Sequence, residues 1–178
     1  MTNPEPTSTT NLNRYGDEAM PWAGVIDALT ATYPDPPVEG TQQHTVLGTV
    51  RPDGRPHAAP VGAFWIEGTW YIVSGPGTRK SRNLAAISAC TLTAKLQGMD
   101  VVFAGEAQRV TDPGELERVA KVYRDNGWPA EVEGDAFIAP YMAQSGGPPP
   151  WNLYRLKLEE AVAVGTSKDI NGATKYTF

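Results

Sequence analysis

Between Tyr71 and Leu84 the chain reads Tyr-Ile-Val-Ser-Gly-Pro-Gly-Thr-Arg-Lys-Ser-Arg-Asn-Leu. An apolar run enters a turn with two glycines, and a short helix is expected over Ser81–Ile87. The turn delivers the hydroxyls of Ser74, Thr78 and Ser81, the Asn83 amide, and the cations Arg79, Lys80 and Arg82. Such a set binds anions. Glycines let backbone N–H groups converge, a helix N-terminus presents unpaired donors, and the cations add charge. Arginine can grip a phosphate with two parallel hydrogen bonds, whereas lysine acts as a point charge. Read without a ligand, the same residues make a solvated basic turn.

The elements that must position this turn are antiparallel strands. Thr45–Val50 predicts a strand, Arg51-Pro52-Asp53-Gly54-Arg55 a turn, and Pro56–Ile66 a returning strand. Glu67-Gly68 turns again and Thr69–Ser74 forms the third strand of a meander. Trp22, Val25, Ile26 and Leu29 have helical spacing within Glu18–Tyr33, and Pro34-Asp35-Pro36-Pro37 ends that helix. Cys90–Leu96, Val101–Val110, Trp151–Leu158, Ala161–Thr166 and the tail Ala173–Phe178 read as further extended or packed segments. Asp112-Pro113-Gly114-Glu115 opens a helix with a capping box, and Leu116, Val119, Ala120 and Tyr123 supply its apolar stripe. Asn126-Gly127 stops it. Trp128–Pro150 is irregular and long enough for a lid or binding loop. Residues 1–16 read as a disordered polar segment and 17–178 as one domain. Many antiparallel strands with helices at the ends imply a small closed or nearly closed barrel.

Composition narrows the function. A net charge of −5 argues against a nucleic-acid or membrane-surface binder, so the cations near Arg79 suit a small anionic ligand. Cys90 is the only cysteine and falls in an apolar strand, where it serves as a small core residue. With no secretory signal pattern or long apolar span, the chain is expected to be cytoplasmic. His44 and His57 are the only histidines; no metal-ligand spacing or serine-hydrolase elbow exists, and no catalytic residue stands out. A chain so poor in nucleophiles and acid–base groups is what cofactor chemistry requires.

Three segments resemble the pyridoxamine 5'-phosphate oxidase-like, flavin-binding split barrels. They are Thr49–His57, the Gly77–Ala85 turn, and the tail Gly172–Phe178. The resemblance runs from about Trp22 to the C-terminus and looks closest to the actinobacterial branch that uses flavin or the deazaflavin F420. It implies a mainly β fold with a few helices, a six- to seven-stranded antiparallel split β-barrel, working as a homodimer with ligand sites at the dimer interface. It implies F420 or FMN as cofactor and a small-molecule substrate, with no nucleic-acid or membrane partner. The family's phosphate grip maps onto Thr78, Arg79 and Lys80, with Ser74, Ser81 and Asn83 beside them. Ala59, Pro60 and Val61 fall where the family's strand passes the isoalloxazine ring. Trp151 and Lys175 are the candidates for a contribution from the second subunit. True pyridoxamine phosphate oxidases carry an Arg-rich C-terminus for substrate phosphate; this chain has no Arg after Arg155.

The leading expectation is an oxidoreductase transferring hydride between F420 or FMN and a small unsaturated or quinone-like compound. A non-catalytic flavin or F420 carrier shares the same site. A haem-binding split barrel, with His57 as axial ligand, is the third possibility.

Overall fold

The structure, a computed structural model, describes residues 3–33, 45–143 and 146–178. The Pro34–Pro37 helix stop and His44 lie outside the described residues. Strand β1 (Ser8–Asn11) and helix α1 (Trp22–Thr32) precede β2 (Thr45–Val50), β3 (Pro56–Val61), β4 (Ala63–Ile66) and β5 (Thr69–Ser74). Helix α2 (Arg79–Ala86) leads into β6 (Ala89–Leu96) and β7 (Met99–Arg109). Helix α3 (Pro113–Asp125), the hairpin β8 (Glu131–Glu133) and β9 (Ala136–Ile138), then β10 (Asn152–Gly165) and β11 (Ala173–Thr177) complete the order.

The sheet closes into a ring through one bent strand. Among the described residues β3 pairs only with β2 and β4 only with β5, and Gly62 alone separates β3 from β4. From β5 the pairing passes through β10, β7 and β6 back to β2. Counting β3–β4 as one strand, the ring has six members. β10 serves two neighbours on one side: Asn152–Arg155 meet β5, and Glu160–Val164 meet β11. The register shift between Leu158 and Glu160 separates the two stretches. Gly105 faces this bulge, where a Cβ would overlap the Lys157 carbonyl oxygen.

Alternation along the strands fills the ring. Leu47, Leu92, Ala94, Val101, Phe103, Leu156 and Ala161 are buried, and Trp65, Trp70 and Phe103 pack edge-on and tilted among them. Helix α1 buries Trp22, Val25, Ala28 and Leu29 in the same core, with Trp22 against Tyr176 and Phe178. A second, smaller core lies under α3: Leu116, Val119, Ala120 and Tyr123 meet Tyr71, Phe137 and Leu153. Helix α3 begins as its sequence predicts, with Asp112 Oδ1 accepting from the Glu115 N–H at 2.8 Å and Pro113 in the first turn. It ends in a Schellman motif: Gly127 has φ +81°, its N–H reaches the Arg124 carbonyl, and the Trp128 N–H reaches the Tyr123 carbonyl.

Several expectations need correction. Residues 1–16 are not featureless: β1 pairs with β11, and the Trp22 Nε1–H donates to the Pro4 carbonyl at 2.7 Å. Every β1 side chain is exposed, so its pairing rests on the backbone, which polarity does not reveal. The three-strand meander is two hairpins, because the segment read as one strand over Pro56–Ile66 breaks at Gly62 and changes partner. Trp151–Leu158 and Ala161–Thr166 are one bulged strand rather than two. The Trp128–Pro150 segment carries the β8–β9 hairpin.

Gly127 holds the left-handed conformation that ends α3. Alanine in this left-handed conformation costs about 1 kcal/mol. Gly127→Ala is therefore expected to lower Tm by roughly 2–4 °C. Calorimetry giving an unchanged Tm would refute the Schellman assignment.

Candidate functional site

The predicted anion turn is built largely by its hydroxyls. Gly75–Thr78 is a β-turn with Pro76 in second position, closed by the Thr78 N–H to the Gly75 carbonyl at 3.0 Å. Thr78 then caps α2, its Oγ1 accepting from the Ser81 N–H at 3.2 Å. Ser81 Oγ donates to Ser74 Oγ at 2.8 Å, and Ser74 Oγ lies 2.9 Å from Thr78 Oγ1. The strand end and the helix start are thus sewn together by three hydroxyls, which orients the first helical turn. The N–H groups of that turn, apart from the one Thr78 caps, have no intrahelical acceptor and face outward.

A cavity of about 220 Å³ opens beside this turn. One wall is the β3–β4 corner, Pro60–Gly62; another is Val73–Gly75 with Lys80. Tyr123, Trp128 and Trp151 form the aromatic side, and Ala143 and Gly146 complete it. Gly75 admits the Gly146 backbone, since a Cβ on Gly75 would overlap the Gly146 carbonyl oxygen. The Schellman turn brings Trp128 back onto Tyr123, ring centroids 5.1 Å apart, and Trp128 meets Trp151 at 5.4 Å. A larger open groove of about 670 Å³ shares Pro60–Gly62 and runs across Thr45, Val46, Thr93, Lys95 and Asp100. Because β3 ends the sheet path, half of its backbone groups face away from β2, towards any ligand at this corner.

The charges of the turn are not internally compensated. Among the described residues none of the ion pairs includes Arg51, Arg79, Lys80 or Arg82. Lys80 is the extreme case: it is buried, 9% exposed, and burial lowers its amine pKa. An ammonium partly withdrawn from water and without a counter-charge is less favourable until an anion joins it. Cys90 is inert by contrast, its thiol pushed up to about 11, chiefly by burial.

The sequence-predicted residues divide into three groups. Ser74, Lys80, Pro60, Val61 and Trp151 line the cavity, and Thr78 and Ser81 fix the turn beside it. Arg79 is exposed on the first turn of α2. Three positions do something other than expected. Asn83 is fully buried, its Nδ2 donating to Thr49 Oγ1 at 2.9 Å, so it anchors α2 to β2. Ala59 pairs with Leu47 in the sheet and does not line the cavity. Lys175, on β11 between β1 and β10, pairs with Glu160 of β10 at 3.2 Å. Trp151 is 1% exposed and stands in the cavity wall of its own chain. His57 Nδ1 lies 3.3 Å from Thr49 Oγ1, at the end of the chain of contacts that starts at Asn83. Tyr123 and Trp128 were absent from the expected site. Tyr123 reads as one more apolar position on the α3 stripe, and only the Gly127 stop hints that the chain folds Trp128 back beside it.

Solved structures share this architecture. A conserved hypothetical protein from Mycobacterium tuberculosis matches at a TM-score of 0.57 with 18% identity, covering 86% of this chain and 89% of that one. A pyridoxamine 5'-phosphate oxidase-related, FMN binding protein from Nostoc punctiforme matches at 0.53 with 13% identity, covering 90% and 98%. A heme binding protein from Mycobacterium smegmatis matches at 0.55 with 16% identity, covering 84% of this chain and 57% of the other. No curated protein sequence matches the chain. The family model for pyridoxamine 5'-phosphate oxidase matches residues 39–165, a stretch that holds the bent β3–β4 strand, the capped turn and the aromatic wall. By that match, over more than half its length, the chain belongs to the pyridoxamine 5'-phosphate oxidase family.

Proposed function

We propose that this protein is an oxidoreductase that holds FMN or the deazaflavin F420 and reduces or oxidises a small unsaturated or quinone-like compound. The observation that carries the reading is Lys80: a largely covered lysine with no carboxylate partner among the described residues, on a capped helix start, at an aromatic cavity. The residues fit a phosphorylated, ring-bearing ligand. Lys80, Arg79 and the first-turn N–H groups of α2 would hold the phosphate. The cavity is below the roughly 300 Å³ at which pockets for whole drug-sized ligands begin, so it takes one end of such a molecule. The rest would pass the Pro60–Gly62 corner into the open groove, where the outward backbone groups of β3 can read a polar ring edge. Such a cofactor, when bound, supplies the hydride-carrying ring, and the protein supplies binding, orientation and exclusion of water. Trp128 and Trp151 do the last of these by walling the cavity.

The deazaflavin branch is the finer reading. An oligoglutamate tail needs cations beyond the phosphate, and Arg51 and Arg82 have no carboxylate partner among the described residues. Arg55 is less suited, because Asp53 already holds it at 2.6 Å. A single, buried cysteine suits a reducing cytoplasm. Among the described residues, no helix is long and apolar enough to cross a membrane. The direct test is titration of the purified protein with FMN and F420 side by side, followed by turnover of the reduced cofactor with a quinone. Tight binding without accelerated reoxidation would convert the enzyme reading into a carrier. Binding of neither cofactor would end it.

Lys80→Met separates the stability of Lys80 from its function. The folded-state pKa lies below that of the unfolded chain, so the unfolded state holds the proton more tightly. The buried charge therefore opposes folding at neutral pH, and stability rises as pH climbs from the lowered pKa towards 10.5. The Met variant should melt no lower than the wild type, yet bind FMN or F420 roughly ten- to hundredfold more weakly. Wild-type affinity should fall as pH rises through the lowered lysine pKa. Undiminished affinity in the variant would remove Lys80 from the site.

The second expectation is a homodimer. Val46, Val102 and Val164 are 39, 38 and 44% exposed on the outer face of the sheet, and the open groove crosses it beside Val46. A second copy would cover this face and roof the groove. Sedimentation at micromolar concentration should give twice 19.2 kDa; a clean monomer would leave the groove open and discard the shared-site reading.

A further inference from the structure

Helix α3 is tied to the barrel by a run of polar side chains that its own start signal does not explain. Glu115 stands where a capping box would return its carboxylate to the helix start. In the structure that carboxylate accepts from the Tyr71 hydroxyl on β5 at 2.8 Å and from the Arg155 guanidinium on β10 at 3.2 and 3.3 Å. Arg155 Nε donates in turn to Gln108 Oε1 on β7 at 3.1 Å. One turn further along α3, Arg118 donates to the same Tyr71 hydroxyl at 3.3 Å and to Glu67 Oε2 at 2.8 Å. Glu67 sits in the β4–β5 turn at φ +49°, a left-handed conformation that is unfavourable for a residue with a side chain. The turn thus holds a carboxylate against α3 although glycine would suit its backbone better.

The other ion pairs of α3, Lys121 with Asp125 and Arg124 with Glu117, stay within the helix. Among the described residues, those of Glu115 and Arg118 are the ones that leave it for another element. Glu67, Tyr71, Gln108, Glu115, Arg118 and Arg155 all line one open cleft of about 590 Å³, so water and salt reach the links. Singly such contacts are weak, but Glu115 and Tyr71 each serve two partners, which couples them. The far end of α3 carries Tyr123 and, past the Gly127 stop, Trp128 of the aromatic wall.

We infer that this network is an ionic latch: it holds α3, and with it Tyr123 and Trp128, closed against the barrel, and it loosens as ionic strength rises. The inference does not depend on which ligand the cavity takes. The latch breaks when α3 lifts away, whereas the strand pairing of the ring does not pass through it. Opening of the wall therefore responds to salt through groups that lie outside the cavity.

The test is amide exchange, followed by mass spectrometry on the full chain, in dilute buffer and in about 1 M sodium chloride, where the screening length falls to about 3 Å. Glu115→Gln and Arg155→Met cut the latch from its two sides, and Val101→Ala weakens the barrel core alone. Both latch variants should speed exchange in α3 by roughly three- to tenfold in dilute buffer. High salt should speed α3 in the wild type, and the latch variants should lose most of that response. Val101→Ala should speed β6 and β7 and leave α3 at the wild-type rate. Because Arg155 lies on β10, its effect on α3 cannot come from helix propensity, and it decides the matter if Glu115→Gln does not fold. An unchanged α3 rate in Arg155→Met would overturn the inference. So would a salt response as large in the latch variants as in the wild type. Equal acceleration of α3, β6 and β7 in Val101→Ala would also overturn it, since α3 would then open only with the whole molecule.

Discussion

The bend at Gly62 is the constraint on which the rest depends. Because only Gly62 separates β3 from β4, one stretch of chain finishes the β2 edge of the sheet and starts the β5 hairpin. That single change of partner closes the ring. Among the described residues it also leaves the backbone of β3 without a neighbour on its far side, at the corner where the smaller cavity and the larger groove meet. Strand β5, paired with both β4 and β10, then delivers Ser74 to the start of the α2 turn. Barrel closure and site construction are thus the same event.

Within that frame the site is organised by an imbalance of charge. Exposed ion pairs elsewhere, such as Lys121 with Asp125 and Arg124 with Glu117, contribute little and can be exchanged for water. Among the described residues Lys80 has no ion-pair partner, and its hydration is incomplete. The protein carries an unfavourable group at its centre of function and recovers the loss only in the presence of an anion. This is the usual relation between a binding site and the stability of the scaffold around it.

Much of this was legible in the residues. The Thr78 cap, the Pro76 turn and the hydroxyls at Ser74 and Ser81 act at fixed, short spacings, so local sequence reports them. The same is true of Asp112-Pro113 at the start of α3 and of Gly127 at its end. What was illegible depends on distant contacts. Nothing near Gly62 says that the strand will change partner. Nothing in the polar run Ser8–Asn11 says that it will pair with the C-terminal strand. Asn83 looks like one more ligand donor until Thr49, far away in sequence, takes its amide. Tyr123 looks apolar because its helix stripe is apolar, and its place in the cavity wall is a property of the packed molecule alone.

The two cores impose a hierarchy of motion. The barrel core draws on strands from around the ring, whereas the core under α3 is joined to the barrel chiefly through Tyr71, Val110 and Leu153. The smaller unit has few strand hydrogen bonds to the ring, and the isolated bridge between Phe137 and Trp151 is its main one. It can therefore open as a separate cooperative unit while the barrel stays folded, and amide exchange on α3 should be faster than on β6 or β7. Since this unit holds the aromatic wall, such an opening reshapes the cavity beside the α2 turn.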